Sequence, residues 1–104
     1  MAFNKVLRKN VEAFINEIEK NKIKILKAYI YGSYAKGNER EDSDIDLALI
    51  SPDFSGNRFL DSMKIIPLRR RIDSRIEPVT YKPEDFSDTD PLVAEIKKTG
   101  IEVK

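Results

Sequence analysis

A chain of 104 residues is most simply one small domain, residues 1–104, with a modest core of its own. It contains no cysteine and no histidine, which excludes disulfides, thiolate sites and the usual zinc and copper chemistry; a metal site here has to use oxygen ligands, pointing to magnesium, manganese or calcium. Nineteen basic and eighteen acidic side chains give a formal net charge of +1, which does not advertise a nucleic-acid-coating protein, and no stretch approaches the roughly 18 apolar residues of a membrane span.

The default expectation is therefore a cytoplasmic protein with no membrane association and no direct binding to nucleic acid. From Lys5 to Lys20, the residues Val6, Leu7, Val11, Phe14, Ile15 and Ile18 recur at steps of three and four, one face of an amphipathic helix. Asn21 can end it. Ile23 to Tyr31 reads as a strand running into Gly32-Ser33. Ser33 to Gly37 fits a short helix with serine as cap and glycine as stop. Asn38 to Ser43 is a polar loop.

Ile45 to Ile50 is a second strand, with Ile45, Leu47 and Leu49 toward the core and Asp44, Asp46 and Ala48 facing away. Arg58 to Ile72 is helix-like, and Pro67 predicts a kink or a division into two short helices. Arg75 to Tyr81 is a third strand in which Pro78 predicts an end or a bulge just after Glu77. Pro91 to Lys98 forms a last helix between an Asp90 cap and a Gly100 stop, and Ile101 to Lys104 is an extended tail. This order predicts an α+β (α/β) fold: a small mixed sheet of three to four strands with helices packed on one side.

The chemistry concentrates in two places. A glycine-serine turn at the end of a buried strand, Gly32-Ser33, presents backbone N–H groups and a hydroxyl suited to phosphate oxygens. Ten residues later, Asp44 and Asp46 point the same way along a strand, their Cα atoms roughly 6.5–7 Å apart, close enough to converge on one divalent cation or a close pair. Each feature alone has an ordinary structural reading, as a turn or as solvated acids. Together they form an anion cradle beside a cation clamp, the apparatus for a metal-bound nucleoside triphosphate.

Glu77 has two readings: a surface glutamate paired with a neighbouring arginine, or a third carboxylate that helps activate an incoming hydroxyl. With no histidine in the chain, a carboxylate is the available base. Lys36, Arg40 and the run Arg69-Arg70-Arg71 are candidates for neutralising phosphates, with Lys36, three residues past Ser33, best placed. Three consecutive arginines on a helix cannot all face one site. Tyr29 and Tyr31 share a strand face and read as packing residues.

Gly32-Ser33-Tyr34-Ala35-Lys36-Gly37 followed by Ser43-Asp44-Ile45-Asp46-Leu47 resembles the signature of the DNA polymerase beta-like nucleotidyltransferases. The chain most resembles their minimal members, the MNT proteins, over nearly its whole length. Lys36 stands where arginine is more usual, and Glu77 stands where many relatives carry a third aspartate. The resemblance implies that Gly32 and Ser33 hold the β- and γ-phosphates, that Asp44 and Asp46 bind two Mg²⁺ ions, and that Glu77 completes the second ion's site. It implies transfer of a nucleoside monophosphate, AMP from ATP, to a hydroxyl with release of pyrophosphate. It further implies a HEPN-domain toxin as partner and a tyrosine of that toxin as acceptor, the chain serving as antitoxin. The alternative is a weakly active or inactive binding module that neutralises its partner by occlusion.

Overall fold

The computed structural model describes residues 5–36 and 44–104. The first apolar stripe becomes α1 (Lys5–Lys20), burying Leu7, Val11, Phe14, Ile15 and Ile18 while its lysines and glutamates face water. Lys22 turns the chain out of the helix with a positive φ of 68°. Strand β1 (Lys27–Tyr31) leads through Gly32 into α2 (Ser33–Lys36), and β2 spans Ile45–Ile50. Helix α3 (Arg58–Arg69) precedes β3 (Ile76–Tyr81), and a single 3-10 turn at Pro83–Asp85 leads towards α4 (Pro91–Thr99) and β4 (Ile101–Glu102).

The strands form one mixed sheet in the order β3-β2-β1-β4, with β1 antiparallel to both β2 and β4 and β2 parallel to β3. Alternation then divides the side chains into two layers. Ala28, Ile30, Ile45, Leu47, Leu49 and Ile76 face α1 and α3 and are fully buried with Phe14, Ile18 and Ile65. On the other face, Ala48, Ile50 and Tyr81 pack with Val93 and Ile96 of α4 and with Tyr29, Tyr31 and Phe86. The two long helices thus share one side as expected, and the short α4 closes part of the other. That cover explains why Ala48, expected to face away from the core, is fully buried in a core of its own.

Three local expectations give way to the structure. The first strand begins at Lys27 and not Ile23, because the N–H groups of Lys24 and Ile25 donate to Asp53 Oδ2 and Glu19 Oε2, at 2.8 and 3.3 Å, instead of to a neighbouring strand. Pro67 does not divide α3, which runs unbroken to Arg69; the N–H it lacks is missed only in the last turn, and the bond forgone is to Met63 C=O. The chain then leaves through N–H groups of Ile72 and Asp73 that both donate to Arg69 C=O at 2.9 Å.

Pro78 likewise sits inside an uninterrupted β3, whose register with β2 continues to Tyr81. Arg75 C=O and Tyr81 C=O accept from Ile45 and Ser51, so the odd-numbered residues of β3 bond to β2. The even-numbered ones turn their polar groups to the free edge, where the missing N–H of Pro78 costs no ladder bond.

Two aspartates anchor the chain at α4 and α3, whose own cap is Asn57. Asp90 accepts from Leu92 N–H at 2.9 Å and caps α4 ahead of Pro91. Asp61, 1% exposed within α3, accepts from Ser55 N–H and Ser55 O–H at 2.9 Å each and from Gly56 N–H at 3.2 Å. These three bonds tie the loop after β2 to the helix that follows, and they satisfy a buried charge. Among the described residues no helix is long and apolar enough to cross a membrane.

Candidate active site

The strand registers assemble the site. Tyr31 of β1 lies opposite Asp46 of β2, and Asp46 lies opposite Glu77 of β3. Residues paired in this way have Cα atoms roughly 5 Å apart and side chains on the same face. Two acids remote in sequence, Asp46 and Glu77, are therefore lateral neighbours. Asp44 stands exposed two residues before Asp46, just ahead of β2.

Gly32 closes the other side. Its φ of +76° is in the region that favours glycine, and it turns the chain from β1 directly into α2. A Cβ at this position would run into Asp46 Oδ2. The phosphate-cradle candidate and the Asp46 carboxylate are thus packed against each other, with no room for a side chain between them. Ser33 and Lys36 belong to α2, but their side chains lie outside the described part of the structure, as do Gly37, Arg40 and Ser43 altogether.

Electrostatics mark Asp46 as the strained member. Its carboxyl is held above the usual carboxylate range, first by burial and then by the negative charges of Asp44 and Glu77. The Tyr31 hydroxyl beside it is pushed up to about 12 by burial, reinforced by Asp46 and Tyr81. Tyr31 therefore stays protonated at neutral pH. It was read from the sequence as packing, and it is part of the second core cluster, yet its register also makes it the aromatic wall nearest the acids.

Glu77 has the arginine partner of its first sequence reading, although that arginine is not Arg75. It shares the face of Asp46, and it also pairs with an arginine: Arg69 Nη1 of α3 lies 3.4 Å from Glu77 Oε1. The neighbouring Arg75 is engaged elsewhere. Its guanidinium grips Asp73 through Nε and Nη2, at 3.0 and 2.8 Å, and reaches Tyr34 O–H at 3.4 Å, while Asn10 donates to Asp73 from α1. That grip holds the Asp73 carboxyl below its usual range and raises Arg75. Tyr34 is accordingly buried in the larger core and is no base-stacking platform.

Among the described residues, no group of three acids is drawn together closely enough to hold a metal ion. Asp44 and Asp46 nevertheless suit a hard divalent cation, because they are oxygen ligands that repel one another and Asp46 also feels the negative charge of Glu77. A groove of about 630 Å³ lies elsewhere, between α1 and α3, lined by Asn16, Lys20, Leu68 and Arg71. It is on the helix-covered side of the sheet, away from the acids.

The sequence missed a second feature of the open face. Tyr29 stacks on Phe86 with ring centroids 5.5 Å apart, Tyr81 meets Phe86 edge-on at 5.2 Å, and the Arg58 guanidinium lies 4.6 Å from the Tyr81 ring centre. Period-two alternation put Tyr29 and Tyr31 on one face, but no sequence signal linked Tyr29 to Phe86 or Tyr81 to Arg58.

The sequence matches the family model "Polymerase beta, Nucleotidyltransferase" over residues 13–103, and the chain belongs to that family of nucleotidyltransferases. No curated protein matches it in sequence. Its fold is similar to that of a toxin–antitoxin crystal structure with AMP-PNP, at a TM-score of 0.65 and 19% identity over 93% of this chain and 72% of the other. A putative nucleotidyltransferase from Sulfolobus solfataricus is similar at a TM-score of 0.58 and 19% identity, covering 94% and 76% of the two chains. A mutant of the toxin–antitoxin MntA-HpeT gives 0.58 and 19%, covering 93% and 72%. At these identities the likeness is one of fold.

Proposed function

We propose that this chain is an antitoxin of the minimal nucleotidyltransferase type, a single cytoplasmic domain that transfers AMP from ATP to a tyrosine hydroxyl of a HEPN-domain toxin. Membership of the nucleotidyltransferase family supports the reaction class. The structural neighbours, one of them determined with AMP-PNP, support a nucleotide and a toxin as its counterparts. The observation that carries the reading is the packing of Gly32 against Asp46, with Glu77 next in register.

In this reading Gly32 and Ser33 hold the β- and γ-phosphates, and Lys36 offsets their charge. Asp44 and Asp46, joined by Glu77, would hold two Mg²⁺ ions, which supply neutralisation of the triphosphate and acidify the acceptor hydroxyl. The acceptor oxygen attacks the α-phosphorus and its proton passes to Glu77. The bond from the α-phosphorus to the bridging oxygen breaks, and pyrophosphate leaves. Alignment and charge neutralisation provide the acceleration, since phosphoryl chemistry asks for little else from the protein.

The test is incubation of the purified chain and its toxin with Mg²⁺ and ATP labelled at the α-phosphate. Label is expected on the toxin, and Asp44→Ala with Asp46→Ala is expected to abolish it. Label transfer that persists in the double variant rejects the assignment of the acids. Toxin inhibition that survives in that variant without nucleotide replaces transfer by occlusion.

A further inference from the structure

The run Arg69-Arg70-Arg71 is a candidate for neutralising phosphates in the sequence, and the structure sends two of its members to different places. Arg71 lines the groove between α1 and α3. Arg69, the last residue of α3, extends to β3 with its side chain only 21% exposed. There Nη1 donates to Ile76 C=O at 2.6 Å and lies 3.4 Å from Glu77 Oε1.

The path of that side chain matters. Ile76 is an even-numbered residue of β3, so its carbonyl points to the free edge of the sheet, away from β2. Helix α3 packs through Ile65 on the face opposite Asp46. Arg69 therefore comes round the outer edge of β3 and meets Glu77 from outside, while Asp46 flanks Glu77 from within the sheet. Glu77 is pulled outward by a cation and pushed outward by an anion. The absence of a closed three-acid group among the described residues is the consequence expected of that balance.

We propose that Arg69 is a positioning residue that holds Glu77 turned to the outer edge while the acid pair is empty, and that a divalent cation at Asp44 and Asp46 must draw Glu77 from Arg69 to complete its ligands. The inference rests on the reading of the acids given under Proposed function. The pair is easily exchanged: Glu77 is half exposed, and exposed ion pairs are weak. The bond to Ile76 C=O keeps the guanidinium in place when Glu77 leaves, so the arm is fixed and only the carboxylate moves.

The experiment is a Mn²⁺ titration of the purified chain, followed by electron paramagnetic resonance of the free ion. Arg69→Gln is expected to tighten Mn²⁺ binding roughly two- to fivefold, the range an exposed ion pair supplies. Glu77→Gln is expected to weaken binding and to erase the effect of Arg69→Gln in the double variant. Equal tightening with and without Glu77 would reveal only a general charge effect and would overturn the proposal, as would no tightening at all.

If Arg69→Gln does not fold, Arg69→Lys carries the test. Lysine keeps the charge but loses the planar fork that serves carbonyl and carboxylate together. It is then expected to tighten Mn²⁺ by a smaller margin that again vanishes without Glu77, and an unchanged affinity overturns the idea. A wild-type chain that binds no Mn²⁺, or binds it equally after Asp44→Asn and Asp46→Asn, removes the assignment of the acids and this inference with it. Binding that needs those acids but ignores Arg69 removes this inference alone.

Discussion

The two faces of the same sheet follow opposite rules. Toward α1 and α3, the strand residues Ala28, Ile30, Ile45, Leu47, Leu49 and Ile76 are apolar and sealed from water. On the reverse face, among the described residues, α4 covers one end, over Ala48, Ile50 and Tyr81, and the other end carries Asp46, Glu77 and the half-buried Tyr31. Alternation along three short strands is enough to keep these roles apart, because a residue and its neighbour never share a face. The first face supplies stability. The second gives some of it up, placing Asp46 beside the like charges of Asp44 and Glu77.

The sharpest way to break that contrast is to damage the sealed face. Leu47 is fully buried between Asp46 and Ala48, with its side chain on the opposite side from theirs. Leu47→Ala is expected to cost about 2–5 kcal/mol of unfolding free energy in a denaturant titration. The label transferred per folded molecule should stay near wild type. A large loss of transfer with stability intact would mean that the two faces are coupled more tightly than alternation implies.

Gly32 is the point where the two roles meet, and its replacement is expected to have the next largest effect. Gly32→Ala places a Cβ at positive φ, at a cost of about 1–2 kcal/mol, and drives it into the Asp46 carboxylate. Displacing that carboxylate by a fraction of its own width should lower transfer by as much as about 100-fold. A melting curve and a transfer assay on the same preparation separate the two losses. Transfer unchanged in a destabilised variant would show that the contact with Asp46 is packing only.

What the sequence disclosed follows the same division. The glycine-serine turn and the Asp44-Ile45-Asp46 triplet were legible because local spacing alone puts them at strand ends and on one face. So were the amphipathic α1 and the Asp90 and Gly100 boundaries of α4, since caps and stops are local chemistry. The continuity of β3 through Pro78 was not, because a proline is tolerated only on an outer strand and strand order is not written in the strand itself. Nor was the Arg69 tie, which depends on α3 ending beside the edge of β3. The burial of Ala48 needed α4 to return across the sheet, a contact between segments more than forty residues apart.

The smallest expected effect has the opposite sign from the others and tests the cost of the open face directly. Asp46 has a carboxyl raised above the ordinary value of 3.8, so the folded chain binds its proton more tightly than the unfolded chain does. Stability therefore falls as pH rises from 3.8 through the raised value, and the full cost is present above it. Asp46→Asn removes both the desolvated charge and the repulsion from Asp44 and Glu77. In a chelator-containing buffer at neutral pH, the variant is expected to melt slightly higher than wild type. The advantage should shrink as pH is lowered through that window and level off below 3.8, where the aspartate is neutral in both states. A variant less stable than wild type at neutral pH, or an advantage indifferent to pH, would mean that Asp46 is a satisfied structural acid and that this face carries no unspent charge for a cation to neutralise.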